Sequence, residues 1–437
     1  MGGRYRSLVL FCGVAALPLG WASAQQSPVA AQAAPVKPAT QTAPVPAAPG
    51  AAAPVASEPA APPPPPAWVA PPPPLWSARD AQDLLGFIQQ IGGDGLDPAD
   101  YDAAGLTRAM RSGDPALLAK AATDRFNRVS SDLALGHVRG KSRGEWYIRD
   151  KDLDPQRQRT VLDGALARHD VPATLLSLLP THPQYRDLKN ALATTAADDS
   201  AQRNRIKLNM DRWRWLPRDL GDKYIIVNVP AFYVSLVENG ATRWRQRAVA
   251  GATKTPTPMM SATASGVILN PWWEVPKSIE PEVRGKRGYV PVKGKDGKVQ
   301  RWRQPPGPAN ALGQLKFVMP NQWAIFLHDT NARSRFNSNV RSLSHGCIRT
   351  QNILDLSSTL LSDDGGEWTK EKIDAALASK TATQANFVKP LPVYIVYFSA
   401  AASTDGRIVN YNDVYRRDGA VLAALNDTGA KTQVASN

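Results

Sequence analysis

The sequence predicts an α+β protein with a mixed β-sandwich domain in its C-terminal half. A separate N-terminal helical domain precedes it, and a lid subdomain is inserted into the sandwich. Three observations lead there. From Trp76 to about residue 200 the apolar residues recur at helical spacing, and from Tyr224 onward the period becomes that of strands. No long helix separates the strands, which disfavours a doubly wound sheet. One segment between strands, 276–311, is long for a connection and strongly basic.

The chain begins with Arg4 and Arg6, a short apolar run from Ser7 to Trp21, and Ala22-Ser23-Ala24. That is the plan of a cleavable export signal over residues 1–24, too short to span a bilayer comfortably. No later segment is apolar enough to cross a membrane, so no integral membrane segment is expected after cleavage. Residues 25–75 are almost only Ala, Pro, Val, Gln and Thr, with pure proline runs at Pro62–Pro66 and Pro71–Pro74. Such a stretch cannot build a core and is expected to be an extended, disordered tether. The formal charge is +14, or +12 once Arg4 and Arg6 are removed. An exported basic chain without a nucleic-acid motif points to an acidic wall polymer or a membrane surface, and away from nucleic acid.

The helical domain, 76–200, opens at Ser77, which can cap a helix whose stripe is Ala81, Leu84, Leu85, Ile88 and Ile91. Asp114-Pro115 starts a second helix, with Leu118, Ala122, Val129 and Leu133 as its stripe. Further helices are expected at Gln156–Arg168 and Ala173–Leu179. His137, His169 and His182 fall here without ligand spacing and are read as core or surface residues. The next domain, 201–400, opens with a short helix, Asn204–Arg212. Strands follow at Tyr224–Val229 and Phe232–Glu238, an Asn239-Gly240 hairpin turn, a return strand Thr242–Ala250, then Leu315–Met319 and Trp323–Leu327. Within 276–311, Lys277 to Arg303 holds nine basic and three acidic residues around a Lys295–Lys298 turn, as a hairpin flap over a site would. Residues 401–437 form a C-terminal extension with a disordered tail.

The chemistry centres on Cys347. It is one of two cysteines, and the other, Cys12, lies in the export signal. A lone thiol in an oxidising compartment is notable. The bland alternative is a buried Cys acting as a small hydrophobe; the polar run Ser344-His345-Gly346-Cys347-Ile348-Arg349 argues against it. A thiol attacks only as thiolate, so a base is needed. His328 ends the run Trp323–Leu327, where alternation sets Ala324, Phe326 and His328 on one face. Asp329 or its backbone carbonyl could fix the imidazole tautomer. Gly346 permits an unusual backbone angle, and Cys347 and its neighbours could donate N–H groups to an oxyanion. A helix is expected over Ile353–Leu360. Were it to begin near Arg349, its N-terminus would favour the thiolate. Arg349 either pairs with a substrate carboxylate or braces the loop, and His345 ranks below His328 as base. Zinc would want a second pair of ligands beside His328, which is missing, so no metal and no cofactor is expected.

His328-Asp329-Thr330 followed by Ser344–Arg349 resembles the catalytic domain of the L,D-transpeptidases, the YkuD-type fold. Trp213–Pro217, Val227–Phe232, Asn270–Pro276, Pro392–Tyr397 and Tyr415–Asp418 are similar to the large periplasmic branch typified by YcbB. The resemblance implies Cys347 as nucleophile, His328 as general base, the Asp329 carbonyl as orienting group, and Gly346 in the oxyanion site. It implies Ser344, His345, Arg349, Trp273, Tyr289 and Asn270 as substrate-binding residues. The substrate implied is the peptide stem of peptidoglycan, in the periplasm, with cell-wall synthesis proteins as possible partners and carbapenems as acylating inhibitors. The basic insertion matches the family's mobile lid. Two departures stand out. The branch's peptidoglycan-binding module has no room between Tyr185 and Met210, and Asn331 replaces the proline that commonly follows His-Asp-Thr. Without that module, cross-links from the L-alanine that opens one stem to the third residue of another (1-3) are slightly favoured over 3-3 links. Rival expectations are an L,D-carboxypeptidase or endopeptidase, attachment of a protein to the wall by the same chemistry, and a non-catalytic wall-binding protein.

Overall fold

The computed structural model describes residues 68–69, 71–150, 152–403 and 406–427. The export signal, most of the tether and the final ten residues therefore lie outside the described residues. The near end of the tether is not free: the Pro72 carbonyl accepts a hydrogen bond from Arg159 at 2.8 Å. Trp76 Nε1 donates to Thr123 Oγ1 at 3.0 Å.

Among the described residues seven α-helices come first: α1 (Ala78–Gln90), α2 (Ala103–Arg111), α3 (Pro115–Leu135), α4 (Pro155–Ala167), α5 (Val171–Leu176), α6 (Pro183–Thr194) and α7 (Ser200–Trp213). Every one starts at a side-chain cap. Ser77, Asp102, Asp114, Asp154, Asp170, His182 and Asp199 each accept from a first-turn N–H, and proline opens α3, α4 and α6. The stripe read for α1 is buried as expected, at Ala81, Leu84, Leu85 and Ile88. The three histidines are structural. His137 Nδ1 meets Asp132 at 2.7 Å, His169 Nδ1 meets Asp80 at 3.0 Å, and His182 caps α6 and meets Tyr224 Oη at 3.0 Å.

The end of α7 joins helices to sheet. Trp213 is stacked between His182 (4.3 Å) and Phe398 (4.6 Å). Arg212, fully buried, donates to Asp418 at 2.7 Å, and Asn209 Oδ1 accepts the Ser399 N–H at 3.0 Å. Trp215 donates to Asp211, whose other oxygen takes the His137 N–H. Buried charges held this way leave the joint little freedom, because loosening one strands its partner unpaired.

The sheet is built from β1 (Lys223–Asn228), β2 (Tyr233–Glu238), β3 (Ala241–Gly251) and β4 (Met260–Leu269). The insertion then supplies β5 (Trp273–Glu274), α8 (Glu280–Val283), β6 (Val290–Lys293) and β7 (Val299–Gln304), whose strands form a separate small sheet, and the main sheet resumes with β8 (Leu315–Val318), β9 (Leu327–His328), β10 (Ser342–Ser344) and β11 (Ile348–Thr350). The chain ends through α9 (Ile353–Asp363), α10 (Lys370–Ala378), β12 (Thr383–Val396), β13 (Ala400–Ala402), β14 (Ile408–Asn410) and α11 (Asp418–Asn426). Strand order is β10-β3-β11-β9-β8-β4-β12-β1-β2, and β2 also pairs with β3.

That last pairing corrects the sandwich expectation, because the sheet closes into a barrel. Adjacent residues of a strand point their hydrogen-bonding groups to opposite edges. In β3 the Ala248 N–H donates to Phe232 O on the β2 side, while the Arg247 carbonyl accepts from Gln351 on the β11 side. At eleven residues β3 is long enough to serve β2 with its first part and β11 with its last. The Asn239-Gly240 turn is as expected, with φ of 51° and 77° suiting a tight hairpin.

Two further expectations are corrected. Trp323–Leu327 is not a strand, since only Leu327–His328 pairs. The Asn321 side chain accepts from the N–H groups of Trp323 and Ile325, and Ala324 sits at φ 52°, so the segment coils. The helix after Cys347 begins at Ile353, not near Arg349, because β11 intervenes; its N-terminus does not support the thiol. The insertion 276–311 does contain a hairpin, β6–β7, extended by β5. It has a small core of its own, with Val275, Ile279 and Val283 against Trp273, Tyr289 and Trp302.

Candidate active site

Three neighbouring strands set the floor of the site. In register, Lys316 of β8 faces His328 of β9, and His328 faces Arg349 of β11. Partners in register project from the same face, so the three side chains form one row, Lys–His–Arg. Cys347 directly precedes β11. All four line one cleft of about 340 Å³ with Phe326, Ala324, Trp323 and Ile325. Trp273, Pro276, Ser278 and Ile279 of the insertion form another wall, and His345 and Ser344 complete the thiol side. Among the described residues no helix is long and apolar enough to cross a membrane, and no cluster suited to a metal ion occurs.

The loop before the thiol is held from below. Ser344 is buried; its hydroxyl accepts the Gly346 N–H at 3.1 Å and donates to the Cys347 carbonyl at 2.6 Å. Thr257 donates to Gly346 O at 2.7 Å and Thr255 to Ser344 O at 3.1 Å. Gly346 sits at φ 115°, and a Cβ there would meet Ile325 Cδ1 at 2.9 Å. The backbone angle therefore favours glycine, while a Cβ would have to displace only the tip of the Ile325 side chain. The Gly346 N–H is bound to Ser344 and the Ile348 N–H to the Phe326 carbonyl. Among the described residues, the Cys347 N–H between them faces no such partner.

His328 is buried, and its Nδ1 lies 2.5 Å from the Asp329 carbonyl, which fixes Nδ1 as the donor and leaves Nε2 as the base. The Asp329 carboxylate is engaged elsewhere, accepting from Gln314 N–H at 2.9 Å and Arg333 at 3.0 Å. Burial, with Arg349 and Lys316 beside it, pushes His328 down to about 3, against the pull of the Asp329 hydrogen bond. Burial likewise pushes the Cys347 thiol up to about 11, against a hydrogen bond from the Phe326 backbone and the charges of Lys316 and Arg349. The thiol donates to the Ala324 carbonyl at 3.6 Å. The resting pair is thus a neutral thiol and a neutral imidazole. Alkylation by iodoacetamide is therefore expected to rise about tenfold per pH unit from pH 7 toward 11. A rate plateau between pH 6 and 8 would reveal a preformed ion pair and contradict this.

The expected site residues divide. Cys347, His328, Ser344, His345, Arg349 and Trp273 line the cleft, Gly346 lies in the thiol loop held by Ser344 and Thr257, and the Asp329 carbonyl supports His328. His345 Nε2 meets Glu282 of α8 at 3.1 Å, tying the thiol loop to the insertion. Asn270 is not in the cleft. It is buried at φ 48° and its amide donates to the carbonyls of Ala376 and Leu377, closing the C-terminal end of α10. Tyr289 packs against Trp273 at 6.1 Å inside the insertion, away from the cleft lining. Lys316 was missed by sequence reasoning. Its alternation with buried Leu315 and Phe317 signals only an outward side chain, not which site it faces.

Residues 222–387 match the family model of the L,D-transpeptidase catalytic domain, YkuD, and residues 66–192 match a scaffold domain. A curated protein of Haemophilus influenzae named "Putative L,D-transpeptidase" is 31% identical over 249 residues, 51% of this chain and 50% of the relative. The chain thus spans about half the length of that relative. Solved structures are more distant. L,D-transpeptidase 3 from Mycobacterium tuberculosis is 11% identical, covering 40% of this chain and 61% of its own, at a TM-score of 0.22. An L,D-transpeptidase from Mycobacterium smegmatis is 12% identical, covering 40% and 58%, at 0.21. Scores of that size do not establish a shared fold.

Proposed function

Given the L,D-transpeptidase catalytic domain, YkuD, at residues 222–387, we propose that this protein is a cysteine acyltransferase that cross-links peptidoglycan stems. The observation that carries the reading is the Cys347 thiol beside His328 and Arg349 in one cleft, with the imidazole oriented by the Asp329 carbonyl. In the mechanism, His328 Nε2 takes the thiol proton as sulfur attacks a donor carbonyl. The Cys347 N–H receives the developing oxyanion. The amine of the leaving residue takes the proton back from His328 and departs, leaving a thioester. An amine of a neighbouring stem then attacks that carbonyl, His328 accepts its proton, and the sulfur leaves and takes that proton back from His328, restoring the neutral pair.

The neutral resting pair fits a site that becomes reactive only with substrate in place, since a buried thiolate without an electrophile is costly. The insertion, joined to the thiol loop through Glu282–His345, is proposed as a lid that keeps water from the thioester and so favours the amine. The YcbB-like branch is proposed from the sequence motifs alone, and the absence of its internal binding module is supported by the short connection between α6 and α7, residues 195–199. Substrate is then positioned by the helical region, the lid and the basic charge. On that plan, 1-3 links, made through the stem's opening L-alanine, are slightly favoured over 3-3 links. The site is proposed to work in the periplasm on wall stems, with wall-synthesis proteins as partners, after export through the signal at 1–24.

The test is to incubate the full mature chain with disaccharide-tetrapeptide and sequence the products by tandem mass spectrometry. Dimers are expected, and their fragments distinguish 1-3 from 3-3 links. Trimmed stems without dimers would replace transfer by hydrolysis, and a lysine-linked protein product would replace it by wall attachment.

A further inference from the structure

Lys316 is a half-buried lysine on the floor of the cleft, and it is not accounted for by the reaction as described. Its place is set by pairing: β8 puts it directly beside His328, on the side opposite to Arg349. Its ammonium lies 5.0 Å from the centre of the Phe326 ring, and that ring is 5.7 Å from the His328 ring. A cation held over an aromatic face is fixed in direction as well as in charge.

Among the described residues neither Lys316 nor Arg349 makes an ion pair. Glu274, the acid of the opposite wall, is bound by Arg301 at 3.0 Å. Arg335 lies near Arg349 and adds to the positive side. Burial lowers the pKa of both Lys316 and Arg349, partly opposed by the Cys347 sulfur and, at Lys316, by Glu274 across the cleft, so each is a cation kept in the cleft at a cost. Two such cations, one on each side of the base, are complementary to an anion that arrives with the substrate.

We propose that Lys316 and Arg349 form a carboxylate-binding row astride His328, and that Lys316 is a specificity-determining residue selecting acyl donors with a free carboxylate close to the attacked carbonyl. This rests on the acyl-transfer reading of the site. The donor carboxylate would lie across the row, and its position would set which carbonyl stands over the Cys347 sulfur.

The experiment compares two donors, a tetrapeptide stem with its carboxylates free and the same stem with them amidated. Each is given to the wild-type chain, Lys316→Gln and Lys316→Arg, and kcat/KM for acyl-enzyme formation is read by intact mass. The wild type is expected to prefer the free acid by about ten- to hundredfold, the range of a charged hydrogen bond. Lys316→Gln should shrink that preference to a few-fold, mainly through KM, and Lys316→Arg should retain most of it. An unchanged preference in Lys316→Gln overturns the proposal. So does an equal loss on both donors, which would make Lys316 a stabiliser of the thiolate and would shift the iodoacetamide pH profile. Should neither donor acylate the wild type, the acyl-transfer reading itself falls, and this proposal with it.

Discussion

Cys347→Ala is expected to abolish acyl transfer, by on the order of 10⁴-fold or more, because the acyl intermediate is carried on the sulfur that the change removes. The loop should survive the change. Its geometry is held by Ser344, Thr255 and Thr257 through backbone groups, and the thiol itself meets only backbone groups, at Ala324 and Phe326. The thermal transition of the variant should therefore match the wild type, so lost activity can be assigned to the sulfur. Product dimers counted by mass spectrometry give the first number and calorimetry gives the second.

His328→Gln is the other large effect expected, a loss of about 10²–10⁴-fold in the acylation rate, the range of a positioned general base. The glutamine amide can donate to the Asp329 carbonyl as Nδ1 does, but it cannot accept the thiol proton. Two measurements separate this from a packing defect. Saturating donor should not restore the rate, since the loss lies in the chemical step. Raising the pH toward 11, where the thiol ionises unaided, should recover part of it. A variant whose rate is restored by donor concentration alone would make His328 a binding residue instead.

Much of this was readable from the sequence, and the parts that were not share a cause. Helix starts were legible because caps are local: Ser77 and Asp114 each act on backbone within three residues. Cys347 and His328 stood out as candidates because one sits in a short polar run and the other ends an apolar one, and both line the same cleft. Closure of the barrel was not, because it depends on β3 using two edges for two partners more than a hundred residues apart. The coil at 321–326 was hidden for a smaller reason. Its alternating apolar residues suit a strand, and one asparagine side chain overrides them by binding the backbone on both sides. Asn270 was assigned to substrate from a motif, and a motif does not say which side of the sheet a side chain serves. Lys316 became visible only once β8 and β9 were paired, since the register, not the sequence, places it beside His328.

The same register supports the electrostatic account of the site. His328 stands between two cations and is buried, so it rests neutral with a free Nε2. Cys347, half-buried beside it, rests as the thiol. On the proposed reading, a donor carbonyl would meet the sulfur and a donor carboxylate the two flanking cations.

The central claim is that the acyl group passes through the Cys347 sulfur. Intact-protein mass measured within seconds of mixing with disaccharide-tetrapeptide, followed by peptide mapping, addresses it directly. A thioester adduct confined to the peptide containing Cys347, and absent from Cys347→Ala, is the predicted result. Cross-linked product from Cys347→Ala, or an adduct mapped to any other residue, would contradict it.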